Sequence, residues 1–271
     1  MPPSLFFGTT FALSWTVWVP LMLIRLGVLP ELVPVTALTP VALLGVLMPA
    51  VAAAMLTARA SGRAGVRRLL RRLLLWRVGG WWLVVLLMQP LVLLVVSVVY
   101  NGLGRDDQVL GTPGLTVGAL LTSVAFLLVA SAGEEVGWRG LALPALQSDG
   151  GPVRASIVLG LVVATWHLPY WVLQGVLDDF GPVYLALDVA FVLALTFQLT
   201  WLFNRTGGSV LVAVAFHLVF NIVNVTILPV TSSTGAFALL TAVECLIAVA
   251  LVGRLAARVG PDRGVRQSPE A

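Results

Sequence analysis

The chain has 271 residues, of which 59% are hydrophobic and 10% are charged, and its formal net charge is +4. Globular water-soluble domains carry about 25% charged residues, so this composition excludes a soluble enzyme or binding domain. It predicts an all-α, polytopic membrane helix bundle. Every basic residue is an arginine, and the arginines cluster beside apolar segments, which favours anionic lipid headgroups over nucleic acid as a partner.

Eight apolar segments are long enough to cross a bilayer, which needs about 20 residues for each helix. The first begins at Leu5 and lacks a basic leader and a small-residue cleavage pattern, so we expect a retained helix rather than a signal peptide. We expect a single membrane domain over residues 1–271, with spans at about 5–27, 41–58, 81–101, 115–147, 153–175, 181–203, 208–229 and 235–257.

The arginines predict the orientation of the bundle. With eight spans, 13 arginines lie on the side that holds both termini, and only Arg25 and Arg105 lie on the other side. The positive-inside rule therefore predicts a multi-pass protein of the cell membrane with both termini in the cytoplasm. We expect residues 258–271 to form a flexible cytoplasmic tail.

Residues 65–76 differ from the spans, because leucines and arginines there alternate at helical spacing. Leu69, Leu70 and Leu73 share one face, and Arg67 and Arg71 lie on the other. This pattern predicts an interfacial amphipathic helix that binds anionic lipids through Arg63–Arg77. A loop that only sets topology through its positive charge is the alternative interpretation.

Charged residues inside the fourth apolar segment are costly and are normally retained for a function. Glu135 and Arg139 are four residues apart, so they share a helix face and can pair. Glu134 is rotated by about 100° and faces a different neighbour. A purely structural ionic lock between helices is the alternative, but such a lock does not need a second, unpaired carboxylate.

The two histidines of the chain lie in the fifth and seventh segments. His217 and Asn221 are four residues apart and project from one face. A single histidine in an apolar helix is usually an interhelical hydrogen-bond partner. However, Glu134, His167 and His217 all lie at a depth of about 14–22 Å from the cytoplasmic ends of their helices. This similar depth predicts that the three side chains meet in one site.

These residue types suit hydrolysis. A buried Glu134 is a usable general base for a water, and His167 can orient that water or protonate the leaving amine. His217 and Asn221 can donate hydrogen bonds to an oxyanion. The alternative is a divalent metal such as zinc held by Glu134, His167 and His217. No cofactor follows from spacing alone, because H-E-x-x-H is absent and a metal site would have to form across three helices.

Two further acids, Asp188 and Glu244, lie in the sixth and eighth segments. We expect a structural role for both. Asp188 would pair with a neighbouring helix or lie near the outer interface. Glu244 would pair likewise or line a second water path.

The ordered motifs resemble those of the CAAX prenyl endopeptidase and bacteriocin-processing family, also called Abi or CPBP intramembrane proteases. Glu134-Glu135 with Arg139 matches the family pattern E-E-x-x-x-R, and His217 with Asn221 matches H-x-x-x-N. His167 matches the histidine of F-x-x-x-H, although valine stands at position 163 in place of phenylalanine.

The resemblance implies a catalytic core over residues 115–229 within an eight-helix fold. It also implies that Glu134 activates water, His167 assists, and His217 and Asn221 form an oxyanion hole. Glu135 and Arg139 would support them. The family is often described as metalloproteases, and a metal-free glutamate mechanism is also argued.

Three functions follow as hypotheses. The first is an intramembrane endopeptidase that cleaves a membrane-associated peptide or protein, which can be lipidated. The second is a membrane immunity or scaffold protein that retains the fold without catalysis. The third is a proton-coupled transporter in which the buried acids and histidines form a relay.

Overall fold

The computed structural model describes residues 2–30, 35–105, 107, 109 and 116–256. The predicted tail, 258–271, lies outside these described residues. Nine α-helices and no strands occur in the described part of the chain. They are α1 (Pro3–Arg25), α2 (Val35–Val46), α3 (Met48–Arg71), α4 (Trp81–Gly102), α5 (Val117–Gly137), α6 (Leu143–Leu173), α7 (Val176–Arg205), α8 (Val210–Ile222) and α9 (Thr234–Ala256).

Seven helical stretches of the described chain are long and apolar enough to cross a membrane. One of them, Val117–Leu173, has 57 residues, far more than one crossing requires. It is broken at Gly151, where φ is 72° and ψ is 174°, a conformation that glycine adopts without a steric penalty. Pro152 then starts the second piece, as prolines often do at the beginning of a helix. The stretch therefore supplies two crossings, and the total agrees with the predicted number of about eight.

The predicted amphipathic helix is present as the last part of α3. Gly62, with φ 59° and ψ −164°, breaks α3 ahead of this segment, which ends in a 3₁₀ turn over Arg72–Leu74. We call residues 63–75 the interfacial segment. Its Leu69 is buried, whereas Leu70 and Leu74 are exposed. The segment thus presents apolar side chains both to the bundle and to its surroundings.

The bundle has two apolar cores. The first joins α1, α3, α5 and α6, and its largest buried side chains are Trp18, Trp138 and Trp166. The second joins α4, α7, α8 and α9, and it includes Phe216 and Phe237. Because most helices are apolar on all sides, their outward residues remain exposed, as expected for a protein surrounded by lipid. The candidate site lies where the two cores meet.

Candidate active site

A cavity of about 180 Å³ lies between α5, α6, α7 and α8. Val163 of the first core and several members of the second core form its apolar wall. All six residues predicted from the motifs line it, together with one tryptophan and two polar residues that the motifs do not include. The motif residues are Glu134, Glu135, Arg139, His167, His217 and Asn221, and the others are Trp171, Asp188 and Thr196.

Glycines allow α5 to approach its neighbour closely. A Cβ atom on Gly137 would lie 2.6 Å from the backbone of Pro49 in α3, and one on Gly133 would lie 3.0 Å from the carbonyl oxygen of Val46. Position 137 therefore requires glycine, and a side chain at position 133 would force its neighbours to shift, in keeping with the small residues found where membrane helices touch. The backbone of α2 and α3 consequently packs directly behind the two adjacent glutamates.

The predicted pair between Glu135 and Arg139 is formed. Glu135 is completely buried, and its Oε1 lies 3.0 Å from Nη1 of Arg139. Arg139 also donates to the Thr196 hydroxyl at 3.4 Å. The arginine lies in a π-helical turn over Trp138–Ala142, and such wide turns occur frequently at functional sites. Nothing in the spacing of the sequence predicted this turn or the contact to Thr196.

His217 binds the same glutamate. Its Nδ1 lies 3.0 Å from Oε1 of Glu135. An ionised carboxylate can only accept, so Nδ1 carries a proton and Nε2 is the nitrogen left for other partners. Nε2 is then an acceptor in the neutral ring and a donor in the imidazolium. No sequence pattern indicated this pairing, because Glu135 and His217 are 82 positions apart.

Glu134 faces the other histidine, as its rotation from Glu135 predicted. Its Oε2 is 4.0 Å from Nε2 of His167. The opposite ring nitrogen, Nδ1, lies 2.9 Å from the carbonyl oxygen of Val163 and donates to it. In the neutral ring, Nε2 is therefore an acceptor that faces a carboxylate. The gap is too long for a direct hydrogen bond and suits one water bonded to both groups.

Aromatic rings fix the plane of His167. Trp171 stacks on it, with ring centroids 5.4 Å apart and an angle of 11° between planes, and Trp166 meets it edge-on at 4.6 Å. Trp171 lies one helical turn after His167, so a four-residue spacing could have indicated it. The main-chain carbonyl of Val163 accepts a hydrogen bond from the ring, so valine in place of the family's phenylalanine leaves this contact intact.

The residues do not fit the predicted zinc set in this arrangement. In the described part of the chain, no three His, Cys, Asp or Glu side chains come together as a metal site. The 4.0 Å between Oε2 of Glu134 and Nε2 of His167 exceeds the separation of two ligands about 2.0–2.2 Å from one tetrahedral zinc. No chemical step is therefore assigned to a metal.

The remaining intramembrane acids differ from each other. Glu244 is completely buried and accepts a hydrogen bond from Nε2 of Gln198, which in turn accepts from Gln89 at 2.9 Å. It pairs with a neighbouring helix, as expected. Asp188 instead lines the cavity, and its Oδ2 is buried with no hydrogen-bond partner among the described residues.

The interfacial segment contacts two of the three helical regions that carry the motifs. Arg72 donates to the carbonyl oxygen of Gly140, within the π-helical turn, at 3.2 Å. Ser209, the N-cap of α8, donates to the carbonyl oxygen of Leu75 at 2.7 Å. The helical spacing predicted that Arg72 shares the polar face with Arg67 and Arg71. Its half-buried guanidinium instead points into the protein, where it donates to Gly140, and Arg72 begins the 3₁₀ turn that ends the segment.

Fold and cavity together define a class of protein: a multi-pass helical membrane protein with a buried cluster of acidic, basic and imidazole side chains. The family model described as type II CAAX prenyl endopeptidase, Rce1-like, matches residues 116–223, which contain every motif residue. A curated relative, CAAX prenyl protease 2 from Methanococcus maripaludis, is 29% identical over 177 residues, or 62% of this chain. The chain spans 64% of the length of that relative. The resemblance inferred from the three motifs is confirmed.

Proposed function

We propose that the chain is an intramembrane endopeptidase that hydrolyses a peptide bond in a membrane-associated, prenylated peptide or protein. The observation that carries this proposal is the facing pair of acceptors, Glu134 Oε2 and His167 Nε2, 4.0 Å apart in the cavity wall. A water between them donates one hydrogen to each acceptor. A lone pair on the water oxygen then points away from Glu134 and His167. A peptide carbonyl carbon on that side is open to attack.

In the proposed reaction, Glu134 takes one proton from the water as its oxygen bonds to the carbonyl carbon. The carbonyl oxygen becomes an oxyanion, which the amide of Asn221 and Nε2 of His217 stabilise. His217 can donate from Nε2 only as an imidazolium, because Glu135 holds the proton on Nδ1. The C–N bond then breaks, and the proton held by Glu134 passes to the leaving nitrogen, directly or through His167.

Glu135 and Arg139 act indirectly in this proposal. Glu135 favours the imidazolium of His217 by placing a carboxylate 3.0 Å from Nδ1. Arg139 keeps that carboxylate ionised and fixed, because the pair is buried and has little freedom to rearrange. A cytoplasmic orientation of both termini and binding of anionic lipids to the exposed arginines of Arg63–Arg77 are parts of the same proposal, supported by the arginine distribution.

The test uses purified protein in lipid nanodiscs and a prenylated fluorogenic peptide with a quencher across the cleaved bond. Wild-type protein should release fluorescence, and mass spectrometry should find a single new amine terminus. Replacing His167 with glutamine should slow release by about 10²-fold or more. Unchanged cleavage by that variant would contradict the assigned role of His167.

Metal dependence is tested in the same assay. Activity that survives extensive dialysis against a strong chelator agrees with the carboxylate mechanism. Loss on chelation and recovery on adding zinc would contradict it. A complete absence of cleavage, with protection or binding functions insensitive to Glu134 and His167, would instead favour the immunity or scaffold hypothesis.

A further inference from the structure

A groove of about 580 Å³ lies along the interfacial segment, away from the acidic residues of the active site. Arg63, Arg67 and Arg71 line it at intervals of four residues. Side chains with this spacing are neighbours on one helix face, about 5–6 Å apart, so the three guanidinium groups form a row. The apolar part of the groove consists of Val66, Leu70, Leu73 and Leu74. We call this surface the arginine groove.

The positive charge of the arginine groove is not balanced by acids in the described part of the chain. All three arginines are exposed, and their side chains form no ion pair with another described residue. No acidic residue occurs in residues 32–105. Guanidinium groups match phosphate with paired N–H donors. The row of charge therefore fits a phosphate, and the apolar wall beside it fits the acyl chains of a phospholipid.

The groove spans the break in α3. Ala58 lies ahead of Gly62, on the membrane-crossing part of the helix, and it lines the groove together with the segment that follows the break. A phospholipid in the groove would therefore contact both parts of α3. A ligand favours the conformation in which it makes more contacts. Occupancy consequently favours the angle at Gly62 that places the interfacial segment against the bundle.

The opposite face of the interfacial segment contacts α5 at its π-helical turn. Leu69 is rotated by about 160° from Arg67 around the helix, and its side chain packs against Gly140. Arg72 donates to the carbonyl oxygen of the same glycine at 3.2 Å. The segment therefore joins the arginine groove on one side to the wall of the active site on the other.

The π-helical turn carries the charged partner of the buried glutamate. Gly140 directly follows Arg139, whose Nη1 lies 3.0 Å from Oε1 of Glu135. The same oxygen lies 3.0 Å from Nδ1 of His217, the contact that favours the imidazolium in the proposed reaction. A shift of the turn would move the guanidinium away from this carboxylate. The position of the interfacial segment therefore affects the geometry of the oxyanion site.

We propose that the arginine groove binds one anionic phospholipid, and that its occupancy raises activity by holding the interfacial segment against α5. This inference rests on the proposed function and specifies how that function is regulated. It differs from the general attraction of a basic surface to a charged membrane. The effect is assigned to three arginines in one groove, whereas a general attraction would depend equally on the other exposed arginines nearby.

The experiment measures hydrolysis and hydrogen exchange in two kinds of nanodisc, one of phosphatidylcholine and one that also contains phosphatidylglycerol. With wild-type protein, phosphatidylglycerol should raise the rate of peptide hydrolysis about fivefold and slow exchange over residues 138–142 by a similar factor. Native mass spectrometry from mixed micelles should show retained phosphatidylglycerol. Glycerol phosphate, which has the anion but no acyl chain, should change neither rate when it is added to phosphatidylcholine nanodiscs.

The groove variant combines Arg63→Gln, Arg67→Gln and Arg71→Gln. In phosphatidylcholine it should hydrolyse the peptide as wild type does, because none of the three residues lines the catalytic cavity. Phosphatidylglycerol should then change its hydrolysis and its exchange by less than about twofold, and the variant should retain less of this lipid in mass spectrometry.

The matched control combines Arg59→Gln, Arg68→Gln and Arg77→Gln, which removes the same charge from exposed positions outside the groove. It should respond to phosphatidylglycerol as wild type does. The inference is overturned if the groove variant keeps the response, if the control loses it equally, or if glycerol phosphate activates the protein. If wild type cleaves the peptide in neither lipid, the proposed function fails, and exchange and lipid retention still decide whether the groove binds the phospholipid.

Discussion

Within the described part of the bundle, two polar clusters that each contain a completely buried glutamate differ in character. The first, which we call the acidic cavity, contains Glu134, Glu135, Arg139, His167 and His217. The second, which we call the amide cluster, joins α4, α7 and α9 and consists of Gln89, Gln198 and Glu244. The exposed fraction is 0% for both Glu135 and Glu244.

The clusters differ in their partners and in the space around them. The acidic cavity surrounds its carboxylates with a guanidinium, two imidazoles and room for a ligand. The amide cluster gives Glu244 a neutral side-chain partner, and none of its three residues lines that cavity. A buried acid is therefore not by itself a sign of chemistry. An acid indicates chemistry when it has titratable partners and lies beside an accessible volume. Substitutions of Glu134 and Glu244 test this distinction directly.

The largest effect is expected from Glu134→Gln, which keeps the shape of the side chain and removes the base. Cleavage of the fluorogenic peptide should fall by about 10²–10⁴-fold. Glu244→Gln is the matched control in the amide cluster and should retain activity within a few-fold of wild type. Equal losses in the two variants would show that the clusters do not differ in function.

The second effect concerns stability. Arg139→Met leaves Glu135 as a buried charge without its guanidinium, which should destabilise the protein by about 3–5 kcal/mol. Adding Glu135→Gln to this variant should recover part of the loss, because the uncompensated charge is removed. Both are measured by chemical unfolding in detergent micelles. A double variant less stable than Arg139→Met would contradict the charge argument.

A smaller effect is expected at the interfacial segment. Arg72→Met removes the donor to Gly140 and the contact with the Phe203 ring, where Cζ lies 5.8 Å from the centroid. The loss should be about 1.5–3 kcal/mol, with faster hydrogen exchange over residues 138–142 and unchanged exchange around Gln198. Arg68→Met is the control, since Arg68 is exposed, and it should change stability by less than about 0.5 kcal/mol.

The smallest effect is expected at the end of the bundle near α9. Hydrogen bonds from Ser233 and Tyr100 hold the pKa of Asp107 below its usual value. A lowered folded-state pKa adds stability above the unfolded pKa of about 3.9, and this stability is lost as the pH falls through the folded value. Asp107→Asn should therefore lower the melting temperature slightly at pH 7, and the difference should shrink in acid. A difference that grows with acidity would contradict this sign.

The sequence predicted the helices and the motif residues because both depend on local features. Apolar runs of sufficient length define the spans, and the four-residue spacing of Glu135 with Arg139 fixes a pair within one helix. The rotation between Glu134 and Glu135 also follows from the helical period alone. In the structure the two glutamates have different partners, since Glu135 pairs with Arg139 and Glu134 faces His167.

What the sequence did not predict depends on how whole helices are rotated against each other. α7 is apolar along nearly its full length, so its pattern does not show which face packs inward. Thr196 and Asp188 could not be assigned to the cavity for this reason. The π-helical turn likewise has no sequence pattern of its own, and Gly140 within it packs against the side chain of Leu69 on a different helix.

The close approach of α5 to Pro49 has a consequence for how the protein can vary. The helix that carries the glutamates packs against the main chain of its neighbours at Gly133 and Gly137. The ring of His167 donates to the main-chain carbonyl oxygen of Val163. Main-chain atoms are the same whatever side chain a position carries. The lipid-facing half of each helix can therefore change its residues to suit membranes of different thickness or composition without disturbing the geometry of the acids and imidazoles inside.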